Sequence, residues 1–274
     1  MSLTEQLNKG YELPIKPYTG PIPLTIPAIK LDGRTPADGD YILKKRLEAL
    51  HSQDKERITT WCNHYFDTPD LIATLEDEVK FQPNSPFLIG IQGIVDNQVV
   101  IDAEVLAQGV TDIDLFGEPT STQATYSKDG QETQHTVGNV ILLSYNGISI
   151  SLTPEQFQAI KTESFKRPEN TNRDLPLDQI IEGDQVIHPI WSQYDPETIL
   201  PLTEAIFAFA KTEYGFDTNM GLWLPEETDP AELRAACLGR LGVSSWLGGN
   251  VHLGVGYACL LGVANVAEGD AKKI

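Results

Sequence analysis

Two pairs of acids, Asp102-Ala103-Glu104 and Asp112-Ile113-Asp114, are the residues in this sequence with the types and spacing best suited to chemistry. On a β-strand, positions two apart share a face, so each pair would present two carboxylates side by side. Such clusters attract hard cations, and paired carboxylates can divide general acid and general base roles. Asp102, Glu104, Asp112 and Asp114 are therefore the candidate metal-ligating or hydrolytic residues. The wet face of any half-exposed sheet produces the same alternation, and that reading is preferred.

The other reactive types are scattered. Cys62-Asn63-His64 brings a thiol and an imidazole together, but two ligands are too few for zinc. On a helix, residues two apart also point to different faces. Cys62 is expected in the core and His64 at the surface. His188, within Val186-Ile187-His188-Pro189-Ile190-Trp191, reads as part of a buried edge segment. Glycine forms no phosphate loop and serine no nucleophile elbow. No cofactor is expected.

Local signals place these residues on elements. Residues 40–66 read as helix, with Asp40 as cap, Leu43, Leu47 and Leu50 at helical spacing, and a break near Ser52. A capping oxygen, a proline and an acid recur at Thr68-Pro69-Asp70, Thr153-Pro154-Glu155, Asp195-Pro196-Glu197 and Asp229-Pro230-Ala231-Glu232. The cap satisfies an orphan N–H, proline loses nothing at the first position, and the acid faces the positive helix end. Helices are predicted to start near 69, 154, 196 and 230. Residues 87–95 and 98–106 flank Asp96-Asn97 as a hairpin. Residues 139–145 and 148–152 flank Asn146-Gly147, a type I′ signal, and Lys128-Asp129-Gly130 marks a further turn. Successive hairpins imply an antiparallel sheet.

The ends of the chain are unusual. Pro14, Pro17, Pro21, Pro23, Pro27 and Pro36 punctuate the leader, which predicts an extended arm. Its apolar residues, among them Ile22, Leu24 and Ile26, must lie on something, either their own domain or a neighbouring subunit. Residues 250–266, NVHLGVGYACLLGVANV, are the most apolar run. As a helix it would align Gly254, Ala258 and Gly262 as a close-packing ridge; as a strand it would alternate bulky and small residues. A helix from about Gly256 is preferred, because strands rarely run so long. The run is too short and too polar to span a bilayer, so burial in protein is expected.

The chain has 274 residues, 41% of them hydrophobic and 22% charged, enough to bury a core. Its net charge of −19 disfavours nucleic acid and anionic membranes as partners. The odd, widely spaced thiols Cys62, Cys237 and Cys259, and the lack of an apolar stretch at the start, predict free thiols and a cytoplasmic setting.

These readings combine into an α+β fold. A central antiparallel sheet built from hairpins is flanked by helices, with a Pro-rich extended arm (1–39), a helix-plus-sheet unit (40–165) and a mainly helical C-terminal lobe (177–274). The expected function is a non-enzymatic structural or interaction protein that binds protein partners or self-assembles, as in a virion or injection machine. Its interface would use Ile22, Leu24, Ile26, Gly254, Ala258 and Gly262. The alternatives are a hydrolase using the sheet carboxylates, with or without a divalent metal, and membrane insertion through a C-terminal glycine-rich hairpin.

Overall fold

The computed structural model of the chain describes residues 2–8, 15–169, 171–225, 228–240, 247–249, 253–254 and 258–265. The leader forms α1 (Leu3–Asn8), β1 (Ile15–Thr19), α2 (Ile22–Leu31) and β2 (Arg34–Pro36), followed by α3 (Gly39–Ser52) and α4 (Lys55–Cys62). Next come β3 (Phe66–Leu75), β4 (Glu78–Gln82), α5 (Pro86–Ile89), β5 (Ile91–Val95), β6 (Gln98–Asp102), α6 (Ala103–Gly109), β7 (Thr120–Lys128) and β8 (Gln131–Ser144). Then β9 (Ile150–Leu152), α7 (Pro154–Ala159) and β10 (Ser164–Lys166) lead to β11 (Arg173–Pro176), β12 (Ile181–Glu182) and β13 (Gln185–Val186). The long α8 (Pro196–Tyr214) precedes β14 (Thr218–Trp223), β15 (Ala231–Leu238), β16 (Leu247–Gly248) and β17 (Cys259–Ala264).

The fold is mixed α+β around one large, mainly antiparallel sheet, ordered β10-β4-β3-β15-β16-β14-β11, with β9 also on β15. Its strands come from both sides of residue 170, so the boundary expected there is a loop between strands of one sheet. Alternation along the central strands builds a core on each face. Ile72 of β3 and Ala236 and Leu238 of β15 pack with the α3, α4 and α8 side. Leu71 and Ala73, with Leu233 and Ala235, pack against α2, α5 and the closed barrel of β5, β6, β8 and β7.

The capping device starts α7 and α8 where expected. Thr153 and Gln156 form a reciprocal capping box, and Asp195 accepts from the Glu197 N–H at 3.1 Å. The same signal fails at Thr68-Pro69-Asp70, which lies inside the fully buried β3. The ladder with β15 shifts register between Ala235 and Cys237, opposite this stretch, so Pro69 meets no regular run of ladder bonds. Near 230 the chain enters β15, not a helix, because Ala231, Leu233 and Ala235 are buried between β3 and β9.

The helical reading of residues 40–66 resolves into α3 and α4, divided at Gln53, which takes φ 54°. Asp38, not Asp40, caps α3, accepting from the Tyr41 N–H at 2.9 Å. The predicted 87–95 and 98–106 strands are trimmed to β5 and β6, their outer ends being α5 and α6. Type I′ chemistry appears at Asp129-Gly130, where φ is 51° and 78° between the paired Lys128 and Gln131. At Asn146-Gly147, the Asn146 side chain instead accepts from the Ile148 and Ser149 N–H groups, and β9 departs to pair with β15.

The ends of the chain meet each other. β17 lies between β1 and β2, antiparallel to both. The C-terminal part is thus stranded over its described stretch, a correction to the expected helix, and Gly262 belongs to no helical ridge. A side chain at Gly262 would press on Tyr18, with Cβ 2.7 Å from Cε2. The leader is likewise not an extended arm, because its middle coils into α2. Pro21 and Pro23 sit where helix N–H groups are unbonded anyway, and burial outweighs the roughly 3 kcal/mol that an interior proline such as Pro27 costs. Ile22, Ile26 and Ile29 are wholly buried, each stabilising the fold by roughly 1.5–3 kcal/mol. Ile26→Ala is expected to cost about 3 kcal/mol, seen as a lower urea midpoint at unchanged slope.

Two polar anchors lock this arrangement. Asp32, just past α2, takes hydrogen bonds from Lys16 at 2.8 Å and Tyr18 at 2.7 Å and pairs with Lys128 at the β7–β8 tip. Those three donors, Lys128 first, hold its carboxyl far below the usual range. Arg46, 1% exposed, donates to the carbonyls of Trp61 (3.1 Å), His64 (3.2 Å) and Leu238 (3.2 Å). It thereby joins α3 to the end of α4 and the end of β15.

Candidate functional site

Three of the four acids singled out in the sequence, Asp102, Glu104 and Asp112, make local hydrogen bonds through their side chains, and Asp114 contributes its backbone N–H. Asp102 ends β6 and caps α6, its carboxylate accepting from the Glu104 and Val105 N–H groups at 2.9 and 3.1 Å. Glu104 therefore stands on a helix and not beside Asp102 on a strand, and it accepts from the Asn139 amide at 3.1 Å. Asp112 accepts from the Asp114 N–H at 3.1 Å, opening a single 3-10 turn. The strand geometry that would have aligned each pair is absent at both places. Among the described residues, no three His, Cys, Asp or Glu side chains are grouped to hold a metal ion.

Of the proposed interface residues, all but the half-buried Gly254 are buried within the chain itself. Ile22, Leu24 and Ile26 are at most 6% exposed, and Ala258 is 2% exposed. A Cβ at Gly254 would collide with the Gly147 carbonyl oxygen, so that glycine serves a close internal approach. Residues 255–257, inside the ridge read from the sequence, lie outside the described residues.

The strongly perturbed acids and thiols are interior girders. Asp67 on β3 accepts from the Cys259 N–H at 2.6 Å, tying β17 to the central sheet, and receives the Cys237 thiol. Its second oxygen has no hydrogen-bond partner, and burial raises its pKa to about 6. Asp70, fully buried, accepts from the Asn84 N–H at 2.8 Å and the Tyr194 hydroxyl at 3.0 Å. Burial again raises its pKa to about 6. Cys62 is buried and its thiol is pushed up to about 12, which removes it as a nucleophile. His64 is half-buried, hydrogen-bonded to the Thr60 carbonyl and stacked on Phe66. His188 is 5% exposed, its Nδ1 accepting from the Ile190 N–H at 3.4 Å, and burial lowers its pKa to about 4.

Besides the separately exposed Leu31, Tyr65, Leu115 and Ile187, the surface carries an aromatic face along α8. Ile199, Leu202 and Ile206 turn inward, at most 1% exposed, as their helical spacing predicts. Past them the helix leaves apolar groups in solvent. Tyr214 is 40%, Phe216 42% and Leu177 39% exposed. Tyr214 stacks on Phe216 with centroids 5.8 Å apart and meets Phe209 edge-on at 5.9 Å. A cleft of about 410 Å³ runs along one side, lined by Leu177, Glu204, Phe207, Ala208, Lys211, Phe216 and Asp217. A second, of about 310 Å³, runs along the other side between Leu50, Phe209 and Glu213, and Ala208 borders both.

Helical spacing over 196–214 puts Ile199, Leu202, Ile206 and Phe209 on one apolar side. The first three are buried, but Phe209 is only half-buried and lines a surface cleft, and this outer face is not part of that expectation. The legible signal was the crowding of Phe207, Phe209, Tyr214 and Phe216 into ten positions, more aromatics than one inward stripe can bury.

No family model and no curated protein matches this chain. Among solved structures, one reported as "Accommodation of massive sequence variation in Nanoarchaeota by the C-type lectin fold" aligns with 93% of this chain and 98% of that chain. The TM-score is 0.47 and the identity 13%. That degree of likeness decides neither the fold family nor the function of this chain. No helix among the described residues is long and apolar enough to cross a membrane.

Proposed function

We propose that this chain is an interaction protein that engages a protein partner through the aromatic face of α8. The observation that carries this reading is the cluster of solvent-exposed Leu177, Phe216 and Tyr214, with the half-buried Phe209 edge-on to Tyr214, bordered by two clefts that share Ala208. Isolated exposed apolar residues are ordinary, but a contiguous patch marks a surface that is covered in use. Tyrosine and phenylalanine flanking a cleft are also the groups that dominate protein recognition. Most apolar residues of the described leader and tail, among them Ile22, Ile26 and Leu261, are buried in their own chain, which supports the α8 face over those segments as the docking surface.

The test is selection from a displayed library of short peptides against the whole chain, followed by binding to two variants. Peptides with apolar anchors are expected to be enriched and to bind Phe216→Ser and Ala208→Arg at least about tenfold more weakly, a loss of about 1.4 kcal/mol or more. Both sites are exposed, so circular dichroism and the thermal midpoint are expected to match the parent. Enriched peptides that bind both variants as well as the parent would place recognition elsewhere and end the proposal.

A further inference from the structure

We infer that the occupant of the α8 face is an amphipathic helix of a different protein, apolar along one side and basic along its flanks. This rests on the reading of the face as a docking surface and adds the partner's shape and charge.

Shape comes first. α8 has 19 residues, roughly 28 Å of helix. Its outer side offers Ala205, Ala208 and Thr212 as a low ridge, with a cleft on each side. A second helix laid along it can set its own side-chain ridges into the two clefts at the usual spacing of about 8–10 Å. The small ridge residues permit that approach, and the aromatics at the C-terminal end give it a stop. An added β-strand would find nothing to pair with, because the face presents side chains and not unpaired backbone.

Charge selects the partner. Glu204 and Asp217 line the larger cleft, and Glu213 the smaller, where His51 is the other titratable side chain. Lys211, the cation in the larger cleft, lies 3.4 Å from Asp217 and is already matched. The rim is therefore net acidic on a chain that carries −19 overall. A second copy would bring the same carboxylates against these and is disfavoured. Lysine or arginine flanking an apolar stripe meets the rim, and the apolar stripe fills the clefts.

The experiment uses the full chain and two labelled 18-residue model helices with the same leucine and phenylalanine stripe, one flanked by lysine and one by glutamate, read by fluorescence anisotropy. The lysine helix is expected to bind about tenfold or more tighter than the glutamate helix at low salt, and the gap to shrink severalfold at about 0.5 M salt. Glu204→Lys with Asp217→Lys should invert the preference, while Phe216→Ser weakens both helices.

Equal binding of the two helices, with the Phe216→Ser loss intact, overturns the basic partner and leaves the docking face standing. Binding that neither Phe216→Ser nor Ala208→Arg weakens overturns the docking face as well. Absence of binding by either helix overturns a helical occupant. A dimer of the chain in sedimentation, dissolved by Ala208→Arg, overturns it in favour of a second copy.

Discussion

Arg46→Ala is expected to destabilise the fold by about 4 kcal/mol, the largest effect of any single substitution considered for this chain. The guanidinium is 1% exposed and spans the Trp61, His64 and Leu238 carbonyls at 3.1–3.2 Å. Truncation removes three charge-assisted bonds at once and strands the buried Trp61 and Leu238 carbonyls, along with the part-buried one of His64. Two of those carbonyls belong to the C-terminal end of α4 and the residues just past it, where a cation also meets the negative end of the helix. Arg46→Lys should recover less than half of the loss, since an ammonium cannot reproduce the planar fork. The measurement is the urea midpoint of each variant at an unchanged slope. A loss below about 1 kcal/mol for alanine would mean that the three carbonyls find other donors.

The second large effect is hidden in the wild type by cancellation. Asp67 and Asp70 have pKa values of about 6, above the ordinary carboxylate value. The folded state thus holds two protons that the unfolded chain releases, and these groups add stability as pH falls from 7 toward 5. His188, lowered to about 4, works in the opposite direction. The unfolded imidazole takes up a proton below about 6.5 that the folded one refuses, so its contribution is lost over the same window.

Linkage gives nearly 3 kcal/mol gained from the two carboxyls together between pH 7 and 5, against about 2 kcal/mol lost at the histidine. These three groups together should therefore change the wild type by only about 1 kcal/mol, with Asp40 and Asp174, also raised by burial, adding to the gain. Asp32, whose carboxyl is held low by Lys128, Lys16 and Tyr18, keeps its full contribution across this range.

His188→Asn, whose amide oxygen can accept from the Ile190 N–H in place of Nδ1, should unmask a rise of about 3 kcal/mol on acidification. Asp67→Asn combined with Asp70→Asn should turn the profile downward by about 2 kcal/mol over the same interval. Denaturant titrations at pH 7 and pH 5 on the three proteins decide it. Parallel profiles for all three would show that these buried groups do not titrate in this range.

Local chemistry was legible wherever a short segment decided its own conformation. The Thr153 and Asp195 caps start helices as read, the gap near Ser52 divides α3 from α4, and the turn at Asp129-Gly130 joins two paired strands. The candidate acids were legible as polar positions, exposed at Glu104, Asp112 and Asp114 and half-buried at Asp102, but not as a site. Asp102 and Asp112 are the residue types that cap helices and turns as well as those that bind cations, and composition does not separate the two uses.

The sequence by itself determined the α+β character, the α8 helix with Ile199, Leu202 and Ile206 facing inward though not Phe209, and a strongly acidic net charge, because periodicity, caps and charge act over a few residues. Only the tertiary structure decided that Thr68-Pro69-Asp70 is strand and not helix, that the proline-laden leader coils into α2, and that β17 closes between β1 and β2. The physical reason is that burial against partners distant in the chain is worth more per residue than local propensity, which is at most a few kcal/mol even for proline. The α8 face follows the same logic in reverse. Which aromatics stay in solvent is settled by what the rest of the chain leaves uncovered, and no short stretch of sequence records that.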